Sequence, residues 1–374
     1  MRVVVTGQVG LDRKLFLQRA AEEAGRRGND VTVCNVGDMM YAEAPDVAPG
    51  KILDLPLSRL QSLRRSVFKD VLATCRKHAN VVVNTHATFR WRHGLFHAFD
   101  YDQMEALGAD LYVTLVDNVD RVHYRLVRDG HTDHTLKDLM VWREEEILAT
   151  ELLSQIVSGH GRFFIMARGP EAGEAEAPSA AALARFFEQP PPRKAYLSFP
   201  MTHVRDSPDV LAEIEGFRRE MKRHLICFDP GDVEEKDLSQ LAIEAAAEGR
   251  RFVEVGPPGA KSVMETGDLL SIIPDIDGQI YARDFKLIDQ ADMIVSLIPE
   301  TDGGRAALSS GVERELQHAH EATRDVFVIW RPKIEPSPFI TETATKVFGS
   351  TPEAVRFFFD SHFIPPPPAG ALFA

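Results

Sequence analysis

Short β-branched and aliphatic runs alternate with amphipathic stretches along most of the chain. Arg2–Thr6 is a β-branched run, and the apolar positions of Arg13–Gly25 recur at helical spacing. The pattern then predicts a strand at Asp30–Val36, a helix at Leu60–Lys77 and a strand at Asn80–Asn84. Further strands are expected at Leu111–Val116 and Arg162–Met166, with a long helix, Leu136–Val157, between them. The later half repeats the alternation. It predicts strands at Lys194–Ser198, Leu225–Phe228, Met293–Ile298 and Val326–Trp330, with helices at Pro208–Lys222, Asp284–Gln290 and Val312–Ala322. Apolar strands separated by helices indicate parallel sheets covered on both faces. The segment 231–278 breaks the pattern and is read as an insertion carrying a helix at Leu238–Glu248.

The organisation expected is two α/β domains, 1–168 and 194–374, each a three-layer parallel sheet. Residues 169–193 join them as a linker rich in Pro, Ala and Glu, with a short helical pattern at Ala180–Phe187 before Pro190-Pro191-Pro192. The chain has 374 residues with 43 Lys and Arg against 56 Asp and Glu, a formal charge of −13. Such an acidic chain is a poor match for an extended nucleic-acid backbone, although a local basic pocket for one phosphate fits. There is no 18-residue apolar run to span a membrane, and the first residues lack a signal-peptide layout. Three scattered cysteines, Cys34, Cys75 and Cys227, argue against a disulfide framework or a cysteine zinc site, and a cytoplasmic location is expected. His131, Asp133 and His134 read as a solvated loop, and His93 and His97 as polar surface, so no metal site is assigned.

After the first strand comes Gly7-Gln8-Val9-Gly10-Leu11-Asp12-Arg13-Lys14, and then a helix. That is the place of a phosphate loop, whose glycines expose backbone N–H groups to phosphates at a helix start. Gly7 and Gly10 stand in place, but the chemistry is altered. Asp12 occupies the next glycine position, Arg13 the lysine position, and Lys14 the Ser/Thr position that holds Mg²⁺. Together with Val82-Val83-Asn84-Thr85-His86-Ala87 and Val116-Asp117-Asn118-Val119-Asp120-Arg121, this half resembles the archaeal-type adenylate kinase branch of the P-loop nucleoside monophosphate kinases. The resemblance implies a nucleotide such as ATP at Gly7, Gly10, Arg13 and Lys14. Where the family carries an acid before Thr-His, this chain has Asn84.

In the second half, four features follow strands, where open parallel sheets bind ligands. They are Tyr196-Leu197-Ser198-Phe199-Pro200 with Arg205, Tyr281-Ala282-Arg283-Asp284, Ser309-Ser310-Gly311-Val312-Glu313-Arg314-Glu315-Leu316, and the closing strand. Hydroxyls and free N–H groups before a helix suit an anion, and Glu315 lies about one turn in. The alternative is an ordinary helix cap. As a set these features resemble the nucleoside 2-deoxyribosyltransferase superfamily, in its nucleoside 5′-monophosphate N-glycosidase branch, a Rossmann-like fold. The resemblance implies Glu315 acting at C1′, Tyr196 orienting it, and Asp284 binding or protonating the leaving base. Ser198, Arg205, Ser309 and Gly311 would hold the 5′-phosphate. It also implies release of free base and (deoxy)ribose 5-phosphate without a cofactor, and a homodimer or larger assembly with shared sites. Phe199 either stacks on the base or fills the core. Gln317 replaces the family's usual glycine. Two alternatives stand beside this reading: a nucleotide kinase whose second domain only binds nucleotide, and a non-catalytic nucleotide sensor.

Overall fold

In the computed structural model, the described residues are 1–48, 50–91, 94–130, 134–169, 178–201, 204–256, 261–301 and 303–365. The strands are β1 (Arg2–Thr6), β2 (Thr32–Asn35), β3 (Val81–Asn84), β4 (Thr88–Trp91), β5 (Gly94–His97), β6 (Leu111–Val116), β7 (Phe163–Ala167), β8 (Lys194–Ser198), β9 (Ile226–Phe228), β10 (Phe252–Val255), β11 (Ser262–Glu265), β12 (Met293–Ile298), β13 (Glu300–Thr301), β14 (Arg305–Ala306), β15 (Asp325–Trp330) and β16 (Lys346–Phe348). The helices are α1 (Arg13–Arg26), α2 (Val36–Glu43), α3 (Leu57–Lys77), α4 (Tyr101–Leu107), α5 (Val119–Arg128), α6 (Leu136–Ser158), α7 (Pro178–Arg185), α8 (Pro208–His224), α9 (Lys236–Ala247), α10 (Thr266–Asp289), α11 (Ser310–Glu321), α12 (Pro338–Thr341) and α13 (Thr351–Asp360).

The chain divides into two compact units. Unit 1 comprises Met1–Ala181 with Asp232–Ile280; unit 2 comprises Ala182–Gly231 and the chain from Tyr281 on. Unit 1 holds a parallel sheet in the order β2-β3-β1-β6-β7. Its central strand is buried on both faces, with Val3, Val4 and Val5 fully enclosed, which is why it reads as an unbroken apolar run. Unit 2 holds a second parallel sheet, β16-β15-β12-β8-β9. The chain runs from β8 outward to β9 on one side and later enters β12 on the other. That reversal opens a crevice at the carboxyl ends of β8 and β12, where ligands of such sheets bind. Both units are α/β with parallel sheets, as the alternation predicts.

Two boundaries differ from the sequence expectation. The segment expected as an insertion within the second domain, 231–278, has its contacts with unit 1 from Asp232 on. Glu235, fully buried, pairs with Arg143 of α6 at 2.9 and 3.0 Å and accepts the Val119 N–H at 2.7 Å, capping α5. Asn118 Nδ2 donates to the Glu234 carbonyl, and Gln279 Nε2 to the Met140 carbonyl. A linker reading also fails for the residues after Pro178. The short helical pattern at Ala180–Phe187 is present as α7, but its Leu183 and Ala184 are fully buried and it is followed by the buried Phe186 and Phe187. Arg185 reaches the Lys222 and Leu225 carbonyls. The expected linker residues 170–177 lie outside the described residues.

Candidate functional site

In unit 2, alternation along β8 puts Tyr196 and Ser198 on one face of the sheet. α11 follows β12, and its fifth residue above the Ser310 start is Glu315. The Tyr196 hydroxyl donates to Glu315 Oε1 at 3.0 Å, and the Ser198 hydroxyl donates to Oε2 at 2.6 Å. Tyr196 and Ser198 are fully buried, whereas Glu315 is half-buried, so its carboxyl group lies at the margin of the interior. Burial pushes the Glu315 carboxyl up to about 8; the nearby charge of Asp284 adds to the rise, while the Ser198 and Tyr196 bonds oppose it. The Tyr196 phenol is raised by burial and by the charges of Asp284 and Glu315.

Asp284, on α10, is also half-buried and 3.9 Å from the Arg283 guanidinium. Ser309 is the N-cap of α11, its hydroxyl oxygen accepting the Val312 N–H at 3.3 Å. Gly311 is exposed, and a Cβ there would meet nothing nearer than Ser309 Oγ at 3.7 Å. Arg205 is exposed in the turn after β8. The sequence reading assigned Ser198 to a phosphate, but its hydroxyl is directed at Glu315 because it shares the Tyr196 face. Phe199 fills the core, edge-on to Phe217 at 6.5 Å, and so is not a base platform. Asp292 holds the start of the sheet through the Lys194 N–H and ammonium.

In unit 1, the loop after β1 keeps a phosphate-loop backbone. Gly7 and Gly10 have φ of 141° and 87°, and Asp12 takes the left-handed conformation at φ 46°, ψ 40°. Asp therefore stands in the conformation a glycine would supply, one that Asp tolerates better than most residues. Its carboxylate pairs with Arg128 at 3.2 Å and lies 3.8 Å from Arg125. Arg13 donates to the Gly7 and Thr85 carbonyls at 2.7 and 2.6 Å and to His86 Nε2 at 2.7 Å. On its other side, His86 Nδ1 donates to Glu146 Oε1 at 3.1 Å, while Glu146 Oε2 accepts the Ala87 N–H. Burial and the Arg13 charge lower His86 below its ordinary range, favouring the neutral ring that this chain of bonds needs. Burial lowers Arg13 to about 10 and Arg64 to about 9. Lys14 is exposed and pairs with Asp38 at 2.6 Å. A cavity of about 260 Å³ beside this loop is lined by Arg13, Lys14, Arg64, His86, Arg90 and Asn84, among others.

Sequence reasoning assigned no role to His86, Glu146 or Arg64. Glu146 sits in the run Glu144-Glu145-Glu146 of the long helix, and it is fully buried. Among the described residues there is no group of three or more His, Cys, Asp or Glu placed to hold a metal. His134 packs against Trp142, and His97 Nδ1 donates to the Phe99 carbonyl. His93, His131 and Asp133 lie outside the described residues. The three cysteines are free and buried. Among the described residues, no helix is long and apolar enough to cross a membrane.

Residues 6–143 match the family model described as AAA domain. Among curated proteins, adenylate kinase of Pyrococcus furiosus is 24% identical over 139 residues, covering 36% of this chain and 69% of that protein. Among solved structures, shikimate kinase from Bacteroides thetaiotaomicron is 13% identical with a TM-score of 0.34, covering 50% of this chain and 97% of its own. A 2-deoxyribosyltransferase from Bacillus psychrosaccharolyticus is 14% identical with a TM-score of 0.28, covering 46% of this chain and 98% of its own. TM-scores of this size carry no argument about fold or activity. Residues 6–143 are thus similar to an AAA domain, and a stretch covering 36% of the chain is similar to an archaeal adenylate kinase.

Proposed function

We propose that this chain is a nucleotide-processing enzyme with a site in each unit. The relatives favour the kinase-like reading of unit 1 over the glycosidic reading of unit 2. In unit 1 a nucleotide's phosphates would rest on the loop from Gly7 to Arg13, with a second phosphorylated group in the cavity beside Arg64. The observation that carries this is the loop backbone: left-handed or glycine-type φ at positions 7, 10 and 12, followed at once by a helix start. Phosphoryl transfer asks a protein mainly for positioning and charge stabilisation. Arg13, held between two carbonyls and a neutral histidine, is placed to supply both. The test incubates the full chain with ATP and a panel of nucleoside monophosphates and follows ADP by chromatography. ADP formation that disappears in Arg13→Ala supports the reading; no ADP with any acceptor removes phosphoryl transfer from it.

A second reading is favoured by one specific observation in unit 2, the Glu315 carboxyl held by Tyr196 and Ser198 at the sheet crevice. Ionised Glu315 would attack C1′ of a nucleoside 5′-monophosphate. The C1′–N bond breaks, its electron pair leaves with the base, and Asp284 supplies a proton there. Water then cleaves the glycosyl ester, giving a sugar 5-phosphate. The 5′-phosphate would rest on the α11 start at Ser309 and Gly311, with Arg205, exposed in the turn after β8, as a cation for it. The room above Gly311 suits a close approach of that kind. A homodimer or larger assembly with shared sites belongs to this reading as well. Base release from a nucleotide panel, abolished in Glu315→Gln, supports it; release unaffected by that variant ends it.

A further inference from the structure

Phosphate loops of kinase-like folds normally bind their nucleotide with Mg²⁺, held by the loop Ser/Thr and by an acid at the end of a neighbouring strand. The residues of this chain do not fit that ion. At the hydroxyl position stands Lys14, a cation that repels another. The acid beyond β6 is Asp117, fully buried and already neutralised. Its Oδ2 accepts Arg125 Nη2 at 2.7 Å, its Oδ1 accepts the Asn118 N–H at 2.9 Å, and Arg121 and Arg168 stand at 3.6 and 3.9 Å. A metal there would have to displace guanidinium groups from a dry pocket. Asp12, the other acid of the loop, is occupied by Arg128 and Arg125.

The cavity wall has the opposite composition. Arg13, Lys14, Arg64, Arg90 and His86 face it, with Asp38 as the acid among its lining residues. Arg90 is paired with Glu145 and Lys14 with Asp38. Arg64, 5% exposed, donates to Thr85 Oγ1 at a long 3.3 Å and lies over the Phe68 ring. The charges of Asp100 and Glu146 offset part of its burial, but its long bond to a neutral hydroxyl leaves the guanidinium suited to an incoming anion.

We infer that unit 1 binds a phosphate ester without a divalent metal, its charge being met by Arg13, Lys14 and Arg64 instead. The inference rests on the reading of this loop as a phosphate site. It makes Lys14 a specificity-determining residue, exchanging metal-bound for metal-free phosphate.

The experiment measures binding of ATP, ADP and AMP to the full chain by calorimetry, once in excess MgCl₂ and once in excess EDTA. Affinities within about twofold of each other in the two media are expected, and affinity about tenfold or more lower in EDTA overturns the inference. Lys14→Glu, at an exposed position that leaves the fold alone, is expected to weaken binding by about tenfold in EDTA. An unchanged affinity in that variant also overturns the inference. Lys14→Ser restores a hydroxyl and is expected to make binding respond to Mg²⁺. If none of the three nucleotides binds in either medium, the phosphate-loop reading falls, and this inference with it.

Discussion

Replacing Tyr196 with Phe removes one oxygen from a fully buried ring and leaves its packing unchanged. The lost bond is the 3.0 Å donation to Glu315 Oε1. A hydrogen bond to a charged acceptor contributes about 1.5–3 kcal/mol, and about 1.4 kcal/mol corresponds to one pH unit in a midpoint. Glu315 is half-buried and keeps the Ser198 bond, so water recovers part of the loss. The low end, a rise of about one pH unit, is therefore expected. The carboxyl already stands near 8, raised by burial, so the variant needs a still more alkaline medium to ionise. Two assays follow it: the carboxyl carbon of Glu315 by NMR titration, and base release against pH. If ionised Glu315 is the reacting group, release below the midpoint falls about tenfold and recovers at high pH. An unmoved midpoint would refute the argument. A rate loss equal at every pH would show that the hydroxyl acts on the substrate rather than through Glu315.

Three further outcomes follow from unit 1. Asp120, 7% exposed with Oδ1 lacking a hydrogen-bond partner, is raised by burial to about 6. A carboxyl raised on folding gives its full stability below its unfolded value and loses it as pH climbs through 6. Asp120→Asn is thus expected to gain about 3 kcal/mol at pH 7 by linkage, and little near pH 3; urea unfolding at both values checks it. Glu235→Ala strands the Arg143 guanidinium, 3% exposed, and the Val119 N–H, and should cost about 3–5 kcal/mol in the same assay. A cost below 1 kcal/mol would mean that water reaches the pair. In Gly7→Ala the new Cβ would lie 2.6 Å from Leu11 Cδ1 and 2.8 Å from the Leu115 carbonyl, at φ +141°, and a loss of roughly 2–3 kcal/mol with weakened nucleotide binding is expected.

The strands of both sheets were readable because parallel strands are buried on both faces, leaving little but aliphatic residues, as in Val3-Val4-Val5 and Met293–Ile298. The meeting of Tyr196 with Glu315 was anticipated from a family resemblance; residue spacing alone did not require it. What escaped were features decided by pairing over long sequence distances. Glu235 and Arg143 are 92 residues apart, and nothing local marks either as buried. Helix α10 runs through Pro274, which reads as a breaker, so its first turns were lost in the unmatched segment. Glu146 was hidden among acidic neighbours, and a tolerance of Asp for the left-handed region does not by itself mark Asp12 as the residue that adopts it.

Both anchors of the Glu315 carboxyl come from a single strand, two residues apart, whereas the carboxyl itself rides on a helix seated by Val312, Leu316 and Ala319. A slide of that helix by one bond length would sever both contacts together. The acidity of this group is therefore a gauge of how firmly the helix is seated. Substitutions in its apolar underside, far from any ligand, would register first as an altered titration curve.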